Sequence, residues 1–468
     1  MTPPLKKSRL LPALYAGTFL GLSGSYTNAA EPAPTPPPPN WWDTFTVTGL
    51  IEGGVTINPQ NPPDGLNFGH LFTDKASSPL LNQAALTIQR PLDPKATDYD
   101  LGFKIQALYG SDARYVQYLG EFNYSINDRN QIALQQAWGV IHLPWLFTGG
   151  IDVKAGQWVT LLGAETIDPT TNYFYTHSYM FNFGIPLEDT GVLAIAHVDP
   201  LLDIYAGITA GVNTTIGYRA GDDNGAPAFE GGIGLNLFDG NLTVLAMTHI
   251  GPELPDTFNI FGLPSFNNRI NEVLLCHCNP NSALRYLNDI VTTWKVNDAL
   301  TLITDLNYIR DDGFKTSGYG VAQYAVWTVF DWLKVVGRAE VWRDNGISTD
   351  NGITHTGFFV GAFPGNFDFI NSEWGFVNTS FFEQPTTYLG LTAGLNITPP
   401  VPEGSFVKGV TLRPEVRYDT SLNGTTPFDG SGFGGRGFPG IPALGIPAFG
   451  TGRKAEQVTF GGDVLVKF

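Results

Sequence analysis

A chain of 468 residues with 55 Gly, 32 Phe, 18 Tyr and 10 Trp but only 15% charged residues is aromatic, glycine-rich and charge-poor, where soluble globular proteins carry about a quarter charged residues. The formal net charge of −17, with no basic cluster beyond the N-terminus, excludes nucleic acid as a partner, because phosphate binding rests on clustered Lys and Arg that release counterions. A soluble chain of this length would divide into two or three domains, yet no mid-chain change of composition separates any, so one large β-architecture fits better. The acidic surplus reads as charge that solvates surface loops, with divalent-cation binding as the lesser alternative.

Residues 1–30 have the form of a secretory signal: Lys6, Lys7 and Arg9, then an apolar stretch from Leu10 to Leu22, then small residues to Ala29 and Ala30. The apolar stretch is shorter than the roughly 20 residues a membrane helix needs and carries Gly17 and Gly21, so cleavage after export is expected rather than an anchor. Residues 31–42, with the run PAPTPPPP, follow as a stiff periplasmic linker.

From residue 43 to 468 the dominant period is two. In 44–57, Phe45, Val47, Gly49, Ile51, Gly53, Val55 and Ile57 share one face, opposite Thr44, Thr46, Thr48, Glu52 and Thr56. The same dyad recurs in 101–109, 204–213, 229–237 and 334–342. In 410–419, Val410, Leu412, Val416 and Tyr418 oppose Arg413, Glu415, Arg417 and Asp419. Four charges on one face are costly in a dry core and natural for a face that looks into water, so the apolar face meets lipid.

Connection lengths separate a membrane barrel from a soluble sandwich. Short ones fall near Phe147-Thr148, Val198–Pro200, Asp239-Gly240, Asn297-Asp298 and Asp331-Trp332, and long ones cover 58–79, 113–131, 163–188, 252–285, 345–385 and 420–456. Short-then-long alternation is expected of an all-β, transmembrane antiparallel β-barrel with periplasmic turns and extracellular loops, of about 16 strands, with 14 to 18 admissible. Trp41, Trp42, Trp138, Trp145, Trp158, Trp294, Trp327, Trp332 and Trp342 lie near strand ends and read as an interfacial girdle. The last strand sets Val458, Phe460, Val464, Val466 and Phe468 against Thr459, Asp463 and Lys467. Its terminal Phe468 resembles the carboxy-terminal signal by which outer-membrane barrels engage the barrel assembly machinery.

The stretch 154–194 (KAGQWVTLLGAETIDPTTNYFYTHSYMFNFGIPLEDTGVLA) carries Gly156-Gln157, Gly163-Ala164-Glu165, Asp168-Pro169, Ser178, Pro186 and Thr190-Gly191-Val192. In these landmarks it resembles the OmpL-like β-barrel porin family. The resemblance implies a porin-like channel in the outer membrane of a Gram-negative bacterium, in contact with outer-membrane lipid and lipopolysaccharide, and says little of the solute.

In a barrel wide enough to hold water, a long loop folded inward narrows the bore and sets its carboxylates against basic residues of the facing wall. The candidate is 163–188, with Glu165, Asp168, Glu188 and Asp189 as its acids. Strand parity makes Lys104, Lys154, Arg338, Arg413 and Arg417 the lumen bases, beside Glu52, Asp152, Glu340, Glu415 and Asp419. Such a set either imposes a transverse field on small solutes and ions or merely ties the wall together by ion pairs.

Other chemistry finds little footing. Cys276-His277-Cys278 has the spacing of a local bridge or free thiols rather than a four-ligand metal site. The Gly-rich run 430–440 precedes more loop instead of a helix. Neither a cofactor nor a metal is expected. An outer-membrane lipid hydrolase would need a Ser–His arrangement, and His177-Ser178, the one neighbouring pair, points apart on an extended chain. A non-conducting adhesive barrel is the other alternative to passive diffusion. Many porins are trimers, but no flat apolar subunit face is legible, so a homotrimer stands as an expectation only.

Overall fold

The structure is a computed structural model that describes residues 41–468, except 64, 94–95, 119–120, 123–124, 127, 216–224, 254–278, 280, 314, 346, 349–353, 356–384 and 430–452. The expected signal sequence, most of the expected linker, Cys276, Cys278 and the 430–440 run lie outside the described residues.

Sixteen antiparallel strands form one sheet closed on itself: β1 Thr46–Ile57, β2 Pro79–Arg90, β3 Asp100–Gly110, β4 Gln131–Leu143, β5 Ile151–Val159, β6 Glu188–His197, β7 Leu202–Val212, β8 Ala228–Leu237, β9 Leu242–Pro252, β10 Leu284–Lys295, β11 Leu300–Asp311, β12 Thr316–Phe330, β13 Leu333–Asp344, β14 Thr386–Ile397, β15 in two pieces, Gly409–Leu412 and Glu415–Ser421, and β16 Glu456–Lys467. The break in β15 has a local cause. Pro414 has no N–H to give the ladder, yet the register runs on across it, from Leu412↔Val464 to Glu415↔Gly461, so the two pieces are one stave.

Closure joins β16 to β1 from Leu50↔Lys467 to Ile57↔Phe460, which removes the open edge whose unpaired N–H and C=O groups hydrocarbon would penalise. Phe468 ends this seam, its N–H donating to Gly49 O at 2.9 Å. Its ring packs on Phe406 with centroids 5.2 Å apart.

The dyads sort as their chemistry demands. Val47, Ile51, Leu101, Ile105, Ile208, Val416, Phe460 and Val464 are exposed on the outer wall, while Glu52, Lys104, Gln106, Arg417 and Asp419 are buried inside. Trp42, Trp145, Trp294, Trp327 and Trp332 are exposed near the short turns, where they form one belt. Trp158 and Trp342 are instead buried within the barrel, and Trp138 faces inward under the Lys154 ammonium, so three of the expected girdle indoles belong to the interior.

All five expected turns join consecutive strands. At Asp239-Gly240 the chain turns through positive φ at Phe238, Asp239 and Gly240 (53°, 54° and 86°). The long-loop rule fails once: β11 reaches β12 across only 312–315 on the side where other loops are long. A further long connection, 213–227, carries no dyad break strong enough to have marked it.

Candidate pore constriction

The chain leaves β5 at Val159 and re-enters the wall at Glu188, and the segment between crosses the barrel. Gly163, at φ 87°, makes the inward turn. The Asp168 carboxylate accepts from Thr170 N at 2.9 Å to cap a short 3-10 turn, Pro169–Thr171. Ser178 Oγ accepts from Phe181 N at 3.1 Å to cap α1, Tyr179–Phe183. These caps fold the segment into a compact plug that buries Leu162, Phe174, Phe181 and Phe183 and turns backbone groups to the wall.

The wall meets those groups one by one. Asp289 on β10 accepts from Gly163 N and Asp305 on β11 from Ala164 N, each at 2.9 Å. Asn307 donates to Gly184 O at 2.9 Å, and Glu340 on β13 accepts from Tyr179 N at 2.7 Å. Glu415 accepts from Tyr175 N at 2.8 Å and Thr176 N at 3.1 Å. On β2, Gln83 donates to Ile167 O at 2.8 Å, and Tyr175 OH donates to Asn82 at 2.9 Å.

Three arginines, Arg338 on β13 and Arg413 and Arg417 on β15, hold the segment as well. Arg338 donates to Glu165 Oε1 at 2.6 Å and to Thr176 O at 2.8 Å. Arg413 spans Glu52 (2.8 Å) and Asp463 (2.5 Å) while donating to Pro169 O at 2.9 Å and Asn172 O at 3.0 Å. Arg417 pairs with Asp419 at 2.8 Å and Glu340 at 3.1 Å and donates to His177 O at 2.5 Å. All three are buried, so their charges are balanced pair by pair in a medium where an unmatched charge is costly.

Glu165 shows the outcome. Burial opposes its ionisation, but Arg338, His177 and the Ser178 N–H outweigh that, and its carboxyl is held well below the usual range. Burial, with nearby Arg338, keeps His177 below the ordinary imidazole value despite Glu165.

Two more segments join the plug. His70 reaches Asp419 at 3.1 Å, and Asn182 donates to Gly69 O at 3.0 Å. Asp112 accepts from Asn82 and Gln83 at 3.0 Å each, and burial pushes its carboxyl up to about 6. Phe72 then packs among Tyr115, His177 and Phe181, with centroids 4.9 to 5.4 Å away.

Of the residues singled out from the sequence, Glu165, Arg338, Glu340, Arg413, Glu415, Arg417 and Asp419, with Glu52, come together here. Asp168 acts as a cap, and no ion pair joins it to Lys104 among the described residues. Lys154 lies over the rings of Trp138 and Trp158, with its ammonium 5.1 and 5.8 Å from their centroids. Asp152 bridges His142 (2.5 Å) and His197 (3.1 Å) instead of serving Lys154. Glu188 and Asp189 open β6 and make no ion pair with the three arginines. Asp289, Asp305, Asn307, Asn82 and Gln83 were overlooked, although alternation along β2, β10 and β11 marks every one except Asn82 as inward.

A sixteen-stave barrel with an inserted loop braced by basic and acidic walls is porin architecture. The family described as putative beta-barrel porin-2, OmpL-like, matches residues 44–468. The chain belongs to this family. It is accordingly a porin-like channel of the outer membrane.

No curated protein matches it. Among solved structures, the trimer form of OmpT from Vibrio cholerae is similar at 10% identity, covering 91% of this chain and 99% of that one, with a TM-score of 0.50. The anion-selective porin of Comamonas acidovorans is similar at 11% identity, 91% and 99% coverage and a TM-score of 0.49. The outer membrane channel DcaP of Acinetobacter baumannii gives 12%, 91% and 96%, and 0.48.

Proposed function

We propose that the channel passes small hydrophilic solutes or ions passively and that segment 160–187 sets its limiting bore. The observation that carries this is the bracing of that one segment by the arc of wall from β10 to β15, by Asp289, Asp305 and Glu340 at its backbone N–H groups and by Arg338, Arg413 and Arg417 at its carbonyls. Polar bonds hold its backbone, and its apolar side chains, Leu162, Phe181 and Phe183 among them, share one buried cluster with wall residues such as Tyr324 and Trp342. Liposome swelling with sugars of increasing size tests this: entry of small sugars with a sharp size limit is expected. Liposomes that never swell would support a non-conducting surface barrel, a second reading favoured by the burial of nearly every inward side chain at the plug.

The pair His177-Ser178 supports packing rather than catalysis, since Ser178 caps α1 and His177 stacks on Phe181 at 4.0 Å. The trimer form of the Vibrio cholerae protein favours a homotrimer for this chain too, which light scattering in detergent would read directly. For Phe468, its place at the closing seam supports a part in assembly.

A further inference from the structure

The staves from β4 to β9 carry no arginine, and at their short-turn ends imidazoles stand where guanidinium groups stand on β13 and β15. The ladders set His142 level with Asp152 and His197 level with Asp203. These four inward side chains form one chain of contacts across β4, β5, β6 and β7. His142 Nδ1 lies 2.5 Å from Asp152 Oδ1, Asp152 Oδ2 lies 3.1 Å from His197 Nε2, and His197 Nδ1 lies 2.8 Å from Asp203 Oδ1. Asp152 is half-buried and the other three are buried.

The β4–β5 turn, 144–150, closes over both rings. Gly149 N donates to His197 O at 3.0 Å and His197 N donates to Gly150 O at 2.9 Å. A Cβ on Gly150 would sit 2.5 Å from His142 Cε1, and one on Gly149 would sit 2.4 Å from His197 Cβ. The turn therefore keeps its place only while the rings keep theirs.

His197 decides the protonation of the chain. A neutral imidazole has a single N–H, so with both nitrogens at hydrogen-bond distance from carboxylates one lone pair would face an anionic oxygen. Ring and acids must share two protons, and imidazole, a stronger base than a carboxylate by roughly two to three pK units, takes both. The groups around it leave that balance alone. His142 shares Asp152, Lys154 acts on Asp152 through space, and Tyr205 stands near Asp203. Asp199, in the β6–β7 turn, accepts from the Leu201 and Leu202 N–H groups of its own turn, and 144–150 has no charged residue. Among the described residues no Lys or Arg pairs with Asp152 or Asp203. At the other end of these staves His249 stands in the same way between Asp189 (3.2 Å) and Glu253 (2.8 Å).

We propose that the His197 imidazolium is a proton-operated clamp on the short-turn mouth of the lumen, which draws Asp152 and Asp203 together, seats the 144–150 turn and releases both when its proton is lost. The clamp holds while the ring is charged and fails as pH rises through the ring's own titration. It acts at the mouth rather than at the plug, and it stands or falls apart from the channel reading because it needs no current.

The test is ring-nitrogen NMR of refolded full-length protein carrying 15N-histidine in detergent micelles, with His197 assigned by the signal that H197Q removes. At about pH 8, where an imidazole at its ordinary 6.5 is neutral, His197 is expected to keep both ring protons, and D203N is expected to make the second proton leave at least one pH unit lower. Hydrogen exchange at Gly149, Gly150 and His197, corrected for its intrinsic pH dependence, is expected to be at least tenfold faster in H197Q than in the natural protein at about pH 7, and equal in the two at about pH 10. A neutral ring at about pH 8, a titration unmoved by D203N, or turn exchange indifferent to both H197Q and pH would overturn the clamp. Should H197Q fail to refold, His197 is the one ring whose signal both D152N and D203N displace, and a spectrum with no such ring would overturn it equally.

Discussion

Arg338 touches Glu165, Thr176 and Thr392 at once, so removing its guanidinium leaves the Glu165 carboxylate buried with only neutral partners. Breaking a buried pair in this way costs about 3–5 kcal/mol, and here the cost falls on docking of the loop rather than on the barrel. R338A is therefore expected to raise hydrogen exchange across 164–178 while the strands stay protected; unchanged exchange would show that the pair does not hold the loop. Glu165 also gives the pH dependence its sign. Its docked carboxyl titrates below the ordinary 4.5, so docking is complete above that value and is lost as pH falls through the docked pKa. His177, kept below 6.5 when docked, acts in the same direction from a higher starting pH. Asp112 opposes them: raised to about 6, it favours its docked form below 3.8 and loses that contribution as pH climbs through about 6. The same exchange measurement at about pH 3 should find 164–178 less protected than at neutrality. Protection that rises on acidification would mean that Asp112 dominates.

Between loop and wall the contacts belong to elements. Gly54 on β1 is small because the Tyr175 ring and the Gly462 carbonyl approach it, and a Cβ there would sit 2.5 Å from Tyr175 Cζ and 2.7 Å from Gly462 O. Overpacking of this kind costs about 1–3 kcal/mol. G54A should lower the guanidinium midpoint of the refolded barrel, whereas G337A, on the outer wall with nothing within 4 Å, should leave it in place. Equal midpoints for the two would mean that Tyr175 is not seated against β1. The strands were legible from sequence because a wall between lipid and polar filling imposes its alternation on every stave, and Val416 against Arg417 is enough to orient β15. Asn82 was not, because it is the extra residue of a bulge where the β1–β2 register slips between Glu52 and Gly53, and a bulge upsets parity. The inward fold of 160–187 could be guessed from its length, but its partners could not. Gly163 N meeting Asp289 joins positions 126 apart, and no local pattern encodes that.

At the scale of the molecule, closure by β16 on β1 supplies a rigid wall, and the inserted segments supply an interior that a sixteen-stave barrel would otherwise leave to water. Its two halves differ: arginines matched to acids and carbonyls on β13–β15, imidazoles set between acids on β5–β9. Glu188 and Asp189 were read from sequence as acids of the loop itself; the fold makes them wall, because β6 begins one residue after Leu187 returns to the ladder. What decides the account is whether the docked loop governs passage. Planar-bilayer recording of the refolded chain, with and without residues 164–186, measures that directly. Steps that scale with salt and grow severalfold on the deletion are predicted. Steps of unchanged size in the two proteins, or a folded barrel silent in both, would contradict it.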